Sequence, residues 1–153
     1  MKKIFILRRD IYEKIGQNIL TMLTVLVVTL SFVQITYAAS SSYSFTMNYR
    51  LADGKDNGQY HTLDKGNVDI DGTLIETSTD QGALKTYNDV YYVLFRDCLG
   101  PDKECGKMVC KNLQNPSGRI GLADQKSSKY YLQVYKVEDD GHNIAGSGTL
   151  YNE

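Results

Sequence analysis

Polar and apolar side chains alternate strictly from Tyr43 to Leu51. Tyr43, Phe45, Met47, Tyr49 and Leu51 are separated by Ser44, Thr46, Asn48 and Arg50. Successive side chains of an extended chain point to opposite faces, so this period of two predicts a half-buried strand. Asp53 to Gly58 (DGKDNG) reads as a turn, Tyr60 to Asp64 as a short strand and Lys65-Gly66-Asn67 as a second turn. Val68 and Ile70 predict a third strand, Asp71-Gly72 a reversal, and Thr73 to Thr77 the strand that follows. Ser78 to Lys85 is a polar loop. In Tyr87 to Asp97, the most strand-like run, Val90 to Phe95 are all apolar or aromatic, which predicts a central strand covered on both faces.

Cys98 to Arg119 is the least regular stretch, with turn signals at Gly100-Pro101-Asp102 and Asn115-Pro116-Ser117-Gly118. Ile120 to Ala123 predicts a short strand. In Tyr130 to Val137, Leu132 and Val134 face one way and Tyr131, Tyr135 and Val137 the other. Glu138 to Asn143 reverses the chain, and Ile144 to Tyr151 is expected to return as its hairpin partner. Gly146 and Gly148 mark either a bulge or a close backbone approach. Nothing after residue 38 sustains a helical period. About eight short strands separated by turns predict an all-β fold, an antiparallel β-sandwich or barrel, between which the spacing does not choose.

The start of the chain follows a different rule. Lys2, Lys3, Arg8, Arg9 and Lys14 lie in Met1–Asn18, an uncharged and largely apolar run fills Ile19–Ile35, and Thr36-Tyr37-Ala38 supplies small residues before a serine-rich stretch. That order predicts a helical secretory signal peptide over 1–38 and a single secreted domain over 39–153. The alternative is an uncleaved anchor, which would be the chain's one membrane contact. No cysteine follows the apolar run at a lipidation position. The length and basic start suggest a bacterial exporter.

The first 38 residues hold five of the 17 basic and two of the 18 acidic side chains, so the remainder carries a net charge near −4. A mildly acidic domain argues against nucleic acid, which needs clustered Lys and Arg, and against an anionic membrane surface. Tryptophan is absent and tyrosine abundant, with 12 in the chain. Tyrosine suits both sheet packing and contact surfaces. Tyr91, Tyr131 and Tyr135 are the candidate contact residues.

Cys98, Cys105 and Cys110 form an odd set whose spacing matches no CxxC pattern. Export favours oxidation. If Gly100-Pro101 turns the chain so that residue 98 meets 105, Cys98 and Cys105 pair. Cys98–Cys110 is the second choice. Cys110 is then a free thiol, or a route to a disulfide dimer.

Candidate chemistry is thin. Asp53 to Asp64 resembles a calcium loop, but Lys55 occupies a ligand position and the twelfth residue is Asp. Glu138-Asp139-Asp140 is a weaker cation candidate. No metal or cofactor is expected. His61 lies in a short strand and His142 at a hairpin tip, where a base is poorly oriented, and Gly146-Ser147-Gly148 lacks the spacer of a nucleophile elbow. Asp69 with Asp71, and Asp89 with Asp97, read as solvated strand carboxylates rather than a glycosidase pair. The expected function is therefore non-catalytic: a secreted binding protein acting at the cell surface or in the medium on an extracellular protein or cell-wall glycan. The second reading is an antagonist, a bacteriocin-like toxin or protease inhibitor presenting a stapled cysteine loop. A small hydrolase ranks third.

Overall fold

The computed structural model describes residues 39–126 and 128–152. The expected signal segment, 1–38, lies outside the described residues. Among those described, no helix is long and apolar enough to cross a membrane. The described residues form nine strands: β1 Ser40–Met47, β2 Leu51–Asp53, β3 His61–Thr62, β4 Gly66–Thr79, β5 Val90–Arg96, β6 Lys103–Cys110, β7 Ser117–Ala123, β8 Lys129–Tyr135 and β9 His142–Asn152. The fold is all-β, as the alternation predicted. One antiparallel sheet has the order β1-β9-β4-β7. The other has the order β2-β8-β5-β6, with β3 also on β8. The sheets do not close into a barrel.

Both sheets bury side chains in one core. Tyr43 and Met47 enter from β1, Ile70 and Leu74 from β4, Val90, Tyr92 and Leu94 from β5, and Tyr130, Leu132 and Val134 from β8. The two-sided reading of β8 holds, with Tyr131 and Tyr135 on the opposite face. At the centre, the Tyr92 ring meets Tyr43 and Phe45 edge-on, with centroids 6.4 and 5.9 Å away. This is the geometry that aromatic quadrupoles favour.

Four local expectations are corrected. The strand predicted over Tyr43–Leu51 is two strands. The β1–β9 ladder ends at Met47, the chain bends over residues 48–50, and Leu51–Asp53 joins β8 in the other sheet. Asp71-Gly72 is not a reversal, because β4 runs straight through it for 14 residues. The segment from Cys98 to Arg119 contains the whole of β6 and the start of β7. Finally, β9 does not pair with β8 but crosses to the other sheet, where it lies between β1 and β4.

The glycines explain the second correction. Gly72 and Gly148 face each other across β4 and β9, and Gly148 also faces Tyr43 on β1. A Cβ on Gly72 would lie 2.3 Å from the Tyr43 hydroxyl, one on Gly148 2.2 Å from the Asp71 carbonyl oxygen, and one on Gly146 2.5 Å from the Phe45 ring. These glycines are places where a ring or a neighbouring strand lies directly on the backbone. For Gly146 and Gly148 the close-approach alternative is therefore the correct one.

Gly148→Ala must push against backbone of β4, whereas a Cβ on Gly100 meets nothing within 4 Å. Overpacking of this kind costs about 1–3 kcal/mol. Thermal denaturation should show Tm lowered by roughly 5–15 °C for Gly148→Ala and little changed for Gly100→Ala. Equal melting of the two variants would contradict the packing described.

Candidate functional site

Partnered residues of an antiparallel ladder project to the same face. The register therefore sets out the outer face of the five-stranded sheet in transverse rows. Leu51 pairs with Tyr135, Tyr135 with Tyr91, and Tyr91 with Val109, one residue each from β2, β8, β5 and β6. The next row is Asp53, Gln133, Val93 and Lys107, and the third includes Tyr131, Phe95 and Glu104. In the first row Tyr91 and Tyr135 stack at 5.0 Å, nearly parallel, and the Lys107 ammonium lies 5.7 Å from the Tyr91 ring centre. The row ends in exposed aliphatic residues: Leu51 is 53% and Val109 40% accessible, and Val137, just beyond β8, is 61%.

The third row is covered. Phe95 stacks on Tyr131 at 5.5 Å, Tyr60 approaches Tyr131 edge-on at 6.3 Å, and the Lys55 ammonium stands 5.8 Å above the same ring. Tyr131 is consequently only 4% accessible. Of the three tyrosines expected to form a contact surface, all share the outer face of the sheet, but only Tyr91 and Tyr135 are half-exposed.

Asp102 holds the loop between β5 and β6. Its Oδ1 accepts from the Cys98 N–H at 3.1 Å, and its Oδ2 accepts from Lys55 Nζ at 2.7 Å and from the Tyr131 hydroxyl at 2.8 Å. The Lys55 bond, helped by the other two, holds the Asp102 carboxyl down at about 2. Lys55 also donates to Asp97 at 2.8 Å. Its own pKa is pushed up by Asp102 and then Asp97. Asp53 accepts from the Lys55 N–H and from Gln133 Nε2, each at 2.8 Å. The calcium-like loop thus spends Asp53 on protein donors and sends its lysine to two carboxylates outside the turn. The loop tip carries Leu99, which is fully exposed.

A second polar network ties down residues 80–89, the strap between β4 and β5. Asp140 accepts at its carbonyl from the Leu84 N–H (2.9 Å) and at Oδ2 from the Asn88 N–H (2.7 Å). Lys136 and Asp140 are both buried and form an ion pair, and Lys136 Nζ also donates to the His142 carbonyl at 2.7 Å. Burial pushes the Asp140 carboxyl up, but hydrogen bonds from Lys136, Asn88 and His142 more than offset it and leave it below the usual range. Asp140 is therefore committed within the protein. His142 is buried and fixed, with Nδ1 2.8 Å from Glu76 and Nε2 2.9 Å from the Leu84 carbonyl oxygen. The expectation of a poorly oriented histidine at a hairpin tip is corrected. Both ring nitrogens are engaged by the protein.

His61 is also buried, with Nδ1 2.9 Å from the Ser41 hydroxyl, and burial lowers its pKa. Ser41 and His61 have the contact distance of a nucleophile and a base. Among the described residues no carboxylate partner orients His61. Asp69 pairs with Arg119 at 2.6 Å.

The cysteine reading is corrected. All three cysteines are free thiols. Phe95 pairs with Glu104 and Arg96 with Lys103, so the β5–β6 turn falls earlier than the Gly100-Pro101 signal suggested, and Cys98 lies beyond the ladder. A register shift between Leu94 and Phe95 puts Cys105 at an irregularity in the ladder instead of opposite Cys98. Cys110 packs in the core at 3% accessibility, and burial lifts its thiol to about 11. Sequence reasoning missed Asp102, Glu76 and Lys136. The only signal was Lys55 inside an acidic turn, which asked for a carboxylate partner.

No family model, no curated protein and no solved structure matches this chain.

The thiols give a direct check. In the reduced native protein, an alkylating reagent near neutral pH should label Cys98 and Cys105 and reach Cys110 only on unfolding. Labelling of all three at similar rates would contradict the placement of Cys110 in the core.

Proposed function

We propose that this is a secreted, non-catalytic binding protein and that the Leu51–Tyr135–Tyr91–Val109 row, with Val137 beside it, is its contact surface. The single observation that carries the reading is the continuity of that row across all four strands, apolar or aromatic at every position and accessible at both ends. Surface apolar residues scattered singly need no explanation, but a contiguous band bordered by charge is typical of an interaction site. The two sheets, which share one core, read as an open sandwich carrying this face.

A protein partner fits better than a glycan. Sugar rings stack on free aromatic faces, and here Tyr91 already lies between Tyr135 and Lys107. What the row offers is an apolar ridge, the kind of anchor that dominates protein interfaces. Extracellular action rests on the basic, apolar, small-residue order of residues 1–38. The enzyme reading is weakened by the two histidines, each held by protein partners.

One observation favours the antagonist reading. Leu99 is fully exposed on a loop whose base is fixed by Asp102, so the loop is presented without a disulfide. Preordering of that kind lowers the entropic cost of binding.

One experiment separates the two. Wild-type and variant protein are immobilised and exposed to cell-wall and spent-medium fractions, and the captured partner is quantified. Leu51→Asp with Tyr135→Ala should reduce capture at least tenfold at unchanged Tm, while Leu99→Asp leaves it unchanged. The reverse pattern would replace the sheet face with the loop, and capture insensitive to both would defeat both readings.

A further inference from the structure

His142 faces two acceptors at once. A backbone carbonyl oxygen, here that of Leu84, can only accept. Glu76 also only accepts, because the hydroxyls of Thr79 and Tyr87 converge on the same carboxylate. Hydrogen bonds from Thr79, His142 and Tyr87 hold its carboxyl down at about 2, so it is ionised. A neutral imidazole carries one N–H and would leave one of the two acceptors unmet. Only the doubly protonated ring satisfies both.

We propose that His142 is a pH-operated latch on the 80–89 strap, closed as the imidazolium and released when the ring loses a proton. The latch regulates the outer face of the five-stranded sheet, and this rests on reading that face as the binding surface. The connection is spatial. Tyr87, Asn88 and Asp89 of the strap line an open recess together with Tyr91, Val137 and Glu138. Tyr91 belongs to the apolar row and Val137 flanks it. A looser strap therefore displaces one wall of the recess beside the row.

The groups around His142 favour the charged ring. Glu76 faces it from β4. The Tyr87 ring lies 4.4 Å away on the strap. From the β8–β9 crossover, Asp140 Oδ1 accepts from the His142 N–H at 3.1 Å, and Lys136 donates to the His142 carbonyl. The cation of Lys136 is matched by Asp140, which leaves the Glu76 carboxylate to set the balance. The hydrogen bond to Glu76 raises the His142 pKa above the ordinary histidine value. Burial opposes it, and the Leu84 carbonyl and the Asp140 charge add to it.

A raised folded-state pKa contributes stability that is complete below the unfolded value and lost as pH rises through the folded value. The latch therefore opens on the alkaline side. On the acid side Glu76 stays ionised down to about 2.

The test uses the full chain without any partner. Imidazole 15N shifts are followed against pH, with His142 assigned by comparison with His142→Gln. His61, the only other histidine, serves as the internal contrast. In parallel, amide exchange is measured at Leu84 and Asn88, corrected for the intrinsic pH dependence of exchange. Both His142 ring nitrogens should be protonated below a midpoint higher than 6.5. Protection at Leu84 and Asn88 should fall roughly tenfold through the same midpoint, the loss of one charge-assisted hydrogen bond. The amide resonances of Tyr91 and Val137 should shift with it. Glu76→Gln should lower the midpoint, and His142→Gln should remove the pH step. A midpoint at or below 6.5, constant protection through the titration, or unmoved Tyr91 and Val137 would each overturn the latch. None of these signals involves a partner, so failure of the latch is separate from failure of the binding reading.

Discussion

Lys136 and Asp140 bring opposite charges together in the interior, each only 2% accessible, at the point where the chain leaves one sheet for the other. A buried charge without its partner is among the most destabilising defects a fold can carry, and loss of one member of such a pair typically costs about 3–5 kcal/mol. The pair therefore fixes the crossover. Lys136 takes the His142 carbonyl as a second acceptor, and Asp140 takes the backbone N–H groups of Asn88 and His142. The start of β9, the end of the strap and the approach to β5 are all referred to one carboxylate. Such a site contributes specificity as much as stability, because any other path of the chain leaves an ion unpaired.

The opposite device operates at the centre of the other sheet, where side chains are removed rather than paired. Gly72, Gly146 and Gly148 clear the surface on which Tyr43 and Phe45 lie, and those rings in turn hold Tyr92 from the facing sheet. Interiors pack at nearly crystalline density, so an added methyl group on that surface has no space to take. The two sheets are thus locked by apolar contact in the middle and by charge at the crossover. Gly106 and Gly121 repeat the device at the β6–β7 edge, where a Cβ on Gly106 would lie 2.4 Å from the Gly121 Cα.

Between these two fixed regions the outer face of the five-stranded sheet divides in exposure. Its Tyr131 end is closed over by Tyr60 and Lys55 and anchored to Asp102, so its aromatic content serves packing. Its Tyr91–Tyr135 end remains open beside the strap. One set of tyrosines is therefore structural and its neighbour is available, although both lie on the same two strands and alternate in the same pattern. The open end and the strap are neighbours, since Tyr87, Asn88 and Asp89 line one recess together with Tyr91 and Val137.

Local pattern determined the all-β class, most of the strands and the two faces of β8, because a period of two depends only on which residues seek water and which avoid it. The separation of Leu132 and Val134 from Tyr131 and Tyr135 was legible for that reason. The buried fate of Cys110 was open in the sequence, since a thiol packs as readily as it oxidises. Tertiary structure alone decided which strand pairs with which. Alternation through Tyr43–Leu51 hid a change of sheet, Asp71-Gly72 looked like a turn but was a contact with Tyr43, and the return after β8 crossed over instead of folding back. The polar sites were least visible. Asp102 gathers Lys55 and Tyr131, and Glu76 gathers His142, from distant parts of the chain. Hydrogen bonds between residues dozens of positions apart leave no periodicity in the chain. They exist only once the sheets have brought those residues together.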